Sequence, residues 1–207
     1  MKKFRKKKGF TLVELIVVIA IIGVLAAILI PTMLGYVTRA HVSNMNSTAG
    51  KMRDSVTYFM TQAGSDGYGM FRTRDAICDV DVSIINYNWT VKTSDQDVFL
   101  KQYATKWTSI GIANKDSDID VNNAEERMAY HLANAFVELQ NGYCRFRLVG
   151  GVCYALYLTD EQTVPVDEMP AFNSSTGWDV GEFKWGNDEG GITKSGITVG
   201  TSPVIIV

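Results

Sequence analysis

The chain has 207 residues, 46% of them hydrophobic and 20% charged, with 20 basic side chains against 22 acidic ones. Six of the bases (Lys2, Lys3, Arg5, Lys6, Lys7 and Lys8) stand ahead of everything else, so the remainder is distinctly acidic. An acidic body argues against a general nucleic-acid binder, because attraction to phosphate supplies most non-specific affinity. The length suits one globular domain with an accessory segment.

From Phe10 to Leu34 the sequence reads FTLVELIVVIAIIGVLAAILIPTML, with Glu14 as its one charge. A helix needs roughly 20 apolar residues to cross a bilayer core, and this segment supplies them. The basic cluster should stay in the cytoplasm, which puts the C-terminal body outside. A secretory signal peptide would have an apolar stretch of about 7–15 residues ending at a small-x-small site. Leu15 to Ile30 carries no charge over its whole length and has no clean site beyond it. A plain membrane anchor leaves Glu14 without a reason, since an acid in hydrocarbon costs about 3 kcal/mol.

The stretch KKKGFTLVELIVVIAIIGVLAAILIP closely resembles the N-terminus of type IV prepilins and type II secretion pseudopilins. The resemblance spans roughly residues 3 to 40 and implies a nine-residue leader ending in Gly9. It further implies cleavage by a prepilin peptidase between Gly9 and Phe10, and N-methylation of Phe10. Glu14 would then neutralise the terminal amine of a neighbouring subunit; pairing with its own Phe10 is the other reading. Gly23 lowers helix propensity, and Pro31 cannot donate to the helix ladder. The family resemblance implies unwinding between Gly23 and Pro31 in the filament, and a simple kink is the alternative.

After Pro31 the residues Tyr36, Val37, Ala40, Met45, Ala49, Met52, Val56, Phe59 and Met60 recur at helical spacing, a stripe expected to be core. Gly64 is the expected helix stop. Positions 76–82 and 84–92 read as strands. Ser94-Asp95-Gln96-Asp97 resembles a helix start, with Val98, Phe99, Tyr103 and Trp107 as its apolar face. Asp116, Asp118 and Asp120 invite a calcium loop, but Val121 and Arg127 occupy the positions where an EF-hand needs Gly and Glu. Asn122 and Asn123 with Glu125 and Glu126 read instead as a capping box for a helix through Met128, Leu132, Phe136 and Leu139.

CRFRLV-GG-VCYALYL is a hairpin turning on Gly150-Gly151. Its register pairs Val149 with Val152 and Leu148 with Cys153, and carried on regularly it sets Cys144 opposite Tyr157. Cys144 and Cys153 are then too far apart to bond across the hairpin, so a disulfide would have to use Cys78; the alternative, and the expectation, is that Cys78, Cys144 and Cys153 are all free and buried. Positions 173–196 are rich in Gly and acids and hold Trp178 and Trp185, which are expected to pack on the sheet, stacking on sugar rings of a surface being the alternative. Asp179, Glu182, Asp188 and Glu189 loosely resemble a calcium-binding acidic loop of some pseudopilins, without recognisable ligand spacing. Val204 to Val207 should pair within the sheet.

The expected organisation is leader 1–9, transmembrane and filament-core helix 10–34, amphipathic half 35–63 and globular head 64–207. The fold class is α+β, type IV pilin-like: a long N-terminal helix, half transmembrane, packed on a mainly antiparallel sheet. No enzymatic activity and no cofactor is expected, Ca2+ at the acidic loop being the one candidate. The resemblance implies a structural subunit of a type IV pilus-like surface filament serving adhesion, twitching motility, aggregation or DNA uptake. Its partners would be copies of itself, other pilins, the prepilin peptidase, an inner-membrane assembly platform, membrane lipid before assembly and an unknown surface target. It would sit in the cytoplasmic membrane first and on the cell surface afterwards. The alternatives are a pseudopilin of a type II secretion-like system and a membrane-anchored surface binding protein that does not polymerise.

Overall fold

The computed structural model describes residues 9–65, 77–94, 124–161, 169–172, 184–185, 192–194 and 197–203. Two compact units divide the chain, Met1–Ala40 and His41–Val207. In chain order the elements are α1 (Leu12–Ser65), β1 (Ile77–Ile85), β2 (Asn88–Thr93), α2 (Ala124–Ala135), β3 (Gly142–Val149), β4 (Val152–Thr159), β5 (Lys184–Trp185), β6 (Ile192–Lys194) and β7 (Ile197–Ser202). The fold is α+β, with α1 packed on an antiparallel sheet of order β2-β1-β3-β4-β7-β6-β5.

Within the first unit, α1 runs helically through Gly23 and Pro31. Its apolar side chains are exposed in the single chain, from Leu12 through Ile30 to Leu34. By length and composition it is apolar enough to cross a membrane.

Within the second unit, α1 presents Met45, Ala49, Met52, Val56, Phe59 and Ala63 to the sheet at alternating steps of four and three, the period of one helix face, with Met60 beside Phe59. The buried stripe begins at Val42, whereas Tyr36, Val37 and Ala40, also expected in the core, are exposed. They lie in the first unit. The helix ends at Ser65, one residue past the expected stop.

The sheet answers with every second residue of β1 (Cys78, Val80, Val82, Ile84) and β3 (Cys144, Phe146, Leu148), all buried in the same core. The β1–β2 break falls at Asn86-Tyr87, not at Ser83 as the composition suggested. Both turn residues have positive φ, 50° and 65°, as a two-residue hairpin turn of the primed type requires. Asn tolerates this region, but a tyrosine there needs support. Support comes from the Tyr87 N–H donating to Gln140 O at 2.9 Å and the Asn86 N–H donating to Asn141 Oδ1 at 3.0 Å.

The Gly150-Gly151 hairpin has the expected pairs at its tip. Beyond them a bulge between Arg147 and Leu148 shifts the register, so Cys144 faces Leu158 and Tyr157 faces Arg145. The expected Cys144–Tyr157 pairing is therefore corrected, for a physical reason. One extra residue in β4 turns Leu156 and Leu158 onto the helix side and Tyr157 onto the opposite face. All three cysteines are free and buried. Cys78 and Cys153 flank Leu148 on neighbouring strands, about 10 Å apart by strand spacing, too far for a disulfide. Burial pushes the Cys144 thiol well up, and the Cys153 thiol up as well, so both stay protonated.

α2 starts at Ala124, and the Glu125 carboxylate accepts from the Thr93 N–H at 2.8 Å and from Thr93 Oγ1 at 2.7 Å. The acid expected to cap its own helix thus ties α2 to β2; Asn122 and Asn123 lie outside the described residues. Phe136 and Leu139 lie past the last residue of α2 yet still pack on the core.

β7 approaches α1 backbone to backbone. A Cβ on Gly200 would collide with the main chain of Met45 and Asn46, so only glycine permits the contact. Asn46, 6% exposed, accepts the Thr201 N–H on its Oδ1 at 2.8 Å.

The far face of the sheet carries a charge ladder that the sequence reading did not identify. Arg145 forks onto Asp81 (2.6 and 3.2 Å) and Arg147 onto Asp79 (2.7 and 2.8 Å), each pair directly opposite across β1 and β3. The same guanidinium groups donate to the carbonyls of Met169 and Phe172. Phe172 lies under Arg147 and stacks on Tyr157, whose hydroxyl donates to Ala171 O at 3.2 Å. Residues 169–172 are thereby strapped over that face.

Candidate assembly segment at the helix N-terminus

Gly9 and Phe10 precede the first helical residue, and Phe10 is 85% exposed. Thr11 is the N-cap. Its hydroxyl accepts the Glu14 N–H at 3.3 Å, while Glu14 Oε2 accepts both the Thr11 N–H and the Thr11 hydroxyl at 2.8 Å. This reciprocal pairing is a capping box, and it satisfies two of the donors that a helix start leaves open. Its signal, Thr-x-x-Glu immediately before an apolar run, stands in the sequence beside the charge of Glu14.

The cap does not exhaust the carboxylate. A carboxylate has two oxygens and about four acceptor sites. Both Thr11 bonds fall on Oε2, and Oε1 has no partner among the described residues. Glu14 is therefore held in one orientation with an oxygen to spare.

Gly23 and Pro31 sit within the continuous helix, and nothing lies near the position a Gly23 side chain would take. The Thr32 hydroxyl donates to Leu29 O at 2.9 Å, next to the break in the ladder that proline introduces.

In the head, two histidines have partners. His41 Nε2 lies 3.1 Å from Asp160 Oδ2. His131 Nε2 lies 3.0 Å from Ser55 Oγ and 3.2 Å from Ser55 O, with its ring tilted against Phe59. Burial holds the His131 imidazole below its ordinary value, opposed by the Ser55 carbonyl. Among the described residues no group of three or more His, Cys, Asp or Glu could hold a metal ion. Asp179, Glu182, Asp188 and Glu189 lie outside the described residues, as do Trp178, the expected helix over 94–107 beyond Ser94, the acids at 116–120 and the terminal Val204–Val207.

A capped helix that is apolar from Leu12 to Leu34 apart from one acid in its first turn, in a chain with an α+β head, defines a class: an α+β protein with a long apolar N-terminal helix whose first turn is built around a carboxylate. A family model described as the prokaryotic N-terminal methylation motif matches residues 4–30. The chain is 52% identical over 50 residues to the type IV major fimbrial protein FimA of Dichelobacter nodosus, covering 24% of this chain and 32% of that one. It is 45% identical over 58 residues to the fimbrial protein EcpC of Eikenella corrodens (28% and 38% covered). It is 43% identical over 58 residues to the type IV major pilin protein PilE of Neisseria gonorrhoeae (28% and 35%). These findings support a type IV pilin family for this chain, and they rest on its N-terminal quarter. The chain spans about a third of the length of the curated relatives it matches. No solved structure matches it.

Proposed function

We propose that this chain is a structural subunit of a type IV pilus-like surface filament. Processing removes residues 1–9 by cleavage between Gly9 and Phe10, and the new Phe10 amine is methylated. The chain waits in the cytoplasmic membrane with its basic leader inside and its head outside, then joins the filament through a peptidase and an assembly platform.

The observation that carries the reading is the combination of the 4–30 match with a Glu14 that keeps Oε1 open. Cleavage creates a positive amine four residues before an acid that the cap has already oriented. In hydrocarbon neither charge is cheaply left alone. Glu14 Oε1 accepts the amine of an adjacent subunit, while Oε2 keeps the cap on its own chain. One carboxylate thus starts the helix and sets the register of its neighbour. The relatives' names, major fimbrial protein and major pilin, favour a pilus over a secretion pseudopilus. Gly23 and Pro31 are the places where the helix extends if the filament unwinds it.

Two substitutions separate the roles of Glu14. Glu14→Gln keeps an oxygen for Thr11 and removes the charge; filament yield is expected to collapse while membrane insertion persists. Thr11→Ala removes the cap, at about 1 kcal/mol, and leaves the charge; filaments should persist. Normal yield from Glu14→Gln sinks the charge-pairing role. Mass spectrometry of the mature chain should find methylated Phe10 at its start, and any other first residue refutes the processing.

A further inference from the structure

β2 begins Asn88-Trp89-Thr90, an Asn-x-Thr triplet of the type that N-linked glycan transferases read on exported proteins. The chain holds two more such triplets, Asn46-Ser47-Thr48 and Asn173-Ser174-Ser175. Asn173 lies outside the described residues. Asn46 is buried within α1, with its carboxamide oxygen committed to the Thr201 N–H. Asn88 is the opposite case. It is exposed, it follows the Asn86-Tyr87 turn directly, and its Nδ2 makes one long bond, 3.4 Å, to Asn86 O.

The strand presents the triplet in a readable form. Trp89 turns to the core side, packed on the core and against Phe136 at 6.5 Å between ring centroids. Successive strand residues point to opposite faces, so Asn88 and Thr90 project together on the other side. Both are exposed. β2 ends the strand order of the sheet, so no described strand covers its outer edge. The turn before it is held by Gln140 O and Asn141 Oδ1, bonds that involve neither Asn88 nor Thr90.

We propose that Asn88 is an N-linked glycosylation site, an inference that rests on the reading that the head is exported. The donor is a lipid-linked glycosyl phosphate or pyrophosphate, presented by a membrane transferase. Asn88 Nδ2 attacks the anomeric carbon, and an N–C bond forms as the C–O bond to phosphate breaks. The phosphate leaves with the bonding pair, one amide proton passes to a base of the transferase, and nothing is oxidised or reduced. The Thr90 hydroxyl is the recognition group. A glycan here is bulky and solvated, and it stands at the tip of an edge strand, where bulk discourages pairing with another chain.

The test uses the chain purified from surface filaments or membranes of its own cell and digested with trypsin. Tandem mass spectrometry should find a glycan mass on the 75–92 peptide, localised to Asn88, and a bare 40–51 peptide carrying Asn46. Thr90→Ala and Asn88→Gln should each abolish the added mass, and Thr90→Ser should keep it. A bare 75–92 peptide from a chain whose first residue is Phe10 overturns the site and leaves the pilin reading standing. Sugar on Thr90 or on Asn46 also overturns it. An unprocessed chain retained in the cytoplasm overturns both.

Discussion

Replacing Asn46 by alanine removes the acceptor that holds β7 against α1. The Thr201 N–H points at Asn46 Oδ1 from 2.8 Å, and Thr201 has no solvent exposure in the folded chain. Thr201 is buried, so solvent does not readily replace the lost acceptor. An unsatisfied buried donor costs about 1–3 kcal/mol. For a chain of this size each kcal/mol lowers Tm by about 2–4 °C, so the expected drop is about 2–12 °C. The contact joins residues 155 apart in sequence, so the loss should appear as loosening of β7 before global unfolding. The assay is thermal unfolding of the full chain in detergent by circular dichroism, with amide exchange read at Thr201. Exposed Asn44, two residues earlier, is the control, and Asn44→Ala should stay within about 0.5 kcal/mol. If Asn46→Ala melts with Asn44→Ala and Thr201 stays equally protected, the bond is not what anchors β7.

Two further outcomes follow from the head. Arg147→Ala removes two charge-assisted bonds to Asp79 and one to Phe172 O; chemical denaturation should show a loss of about 1.5–3 kcal/mol. Arg147→Lys should restore only part, because an ammonium has no fork, and full restoration would refute the bidentate account. His131 is held below its ordinary value by burial, so the unfolded chain binds the proton more readily. Its contribution is therefore complete above about pH 6.5 and is lost as pH falls through the lower folded value. Denaturation at pH 7.5 and 5.5 should show this loss, and His131→Gln should flatten it; an unchanged pH response in that variant refutes the assignment.

Much of the chain was legible because its signals are local. The apolar run with one acid, the Met45-to-Met60 stripe and the Gly150-Gly151 turn each depend on a few neighbouring residues and a backbone period. The α1 cap was legible too, as Thr11-x-x-Glu14. The charge ladder had a weaker signal: Asp79 and Asp81 alternate with apolar residues, as do Arg145 and Arg147. Nothing in the sequence says that these two strands are neighbours, since β2 and α2 intervene between them.

The sequence alone determined the apolar segment, its helix and the charge in its first turn, because composition over about 25 residues decides whether a segment is long and apolar enough to span a bilayer. Tertiary structure decided the rest. It set where the buried stripe begins, which face Tyr157 occupies after one extra residue in β4, and that Glu125 ties α2 to β2. It also made Asn46 an anchor and left Asn88 exposed, although each begins an Asn-x-Thr triplet. The reason is common to all of these: each depends on which distant backbone comes to lie alongside, and local preference carries no record of that neighbour. Glu14 belongs to both accounts, with its position written in the sequence and the commitment of Oε2 to Thr11 evident only in the folded first turn.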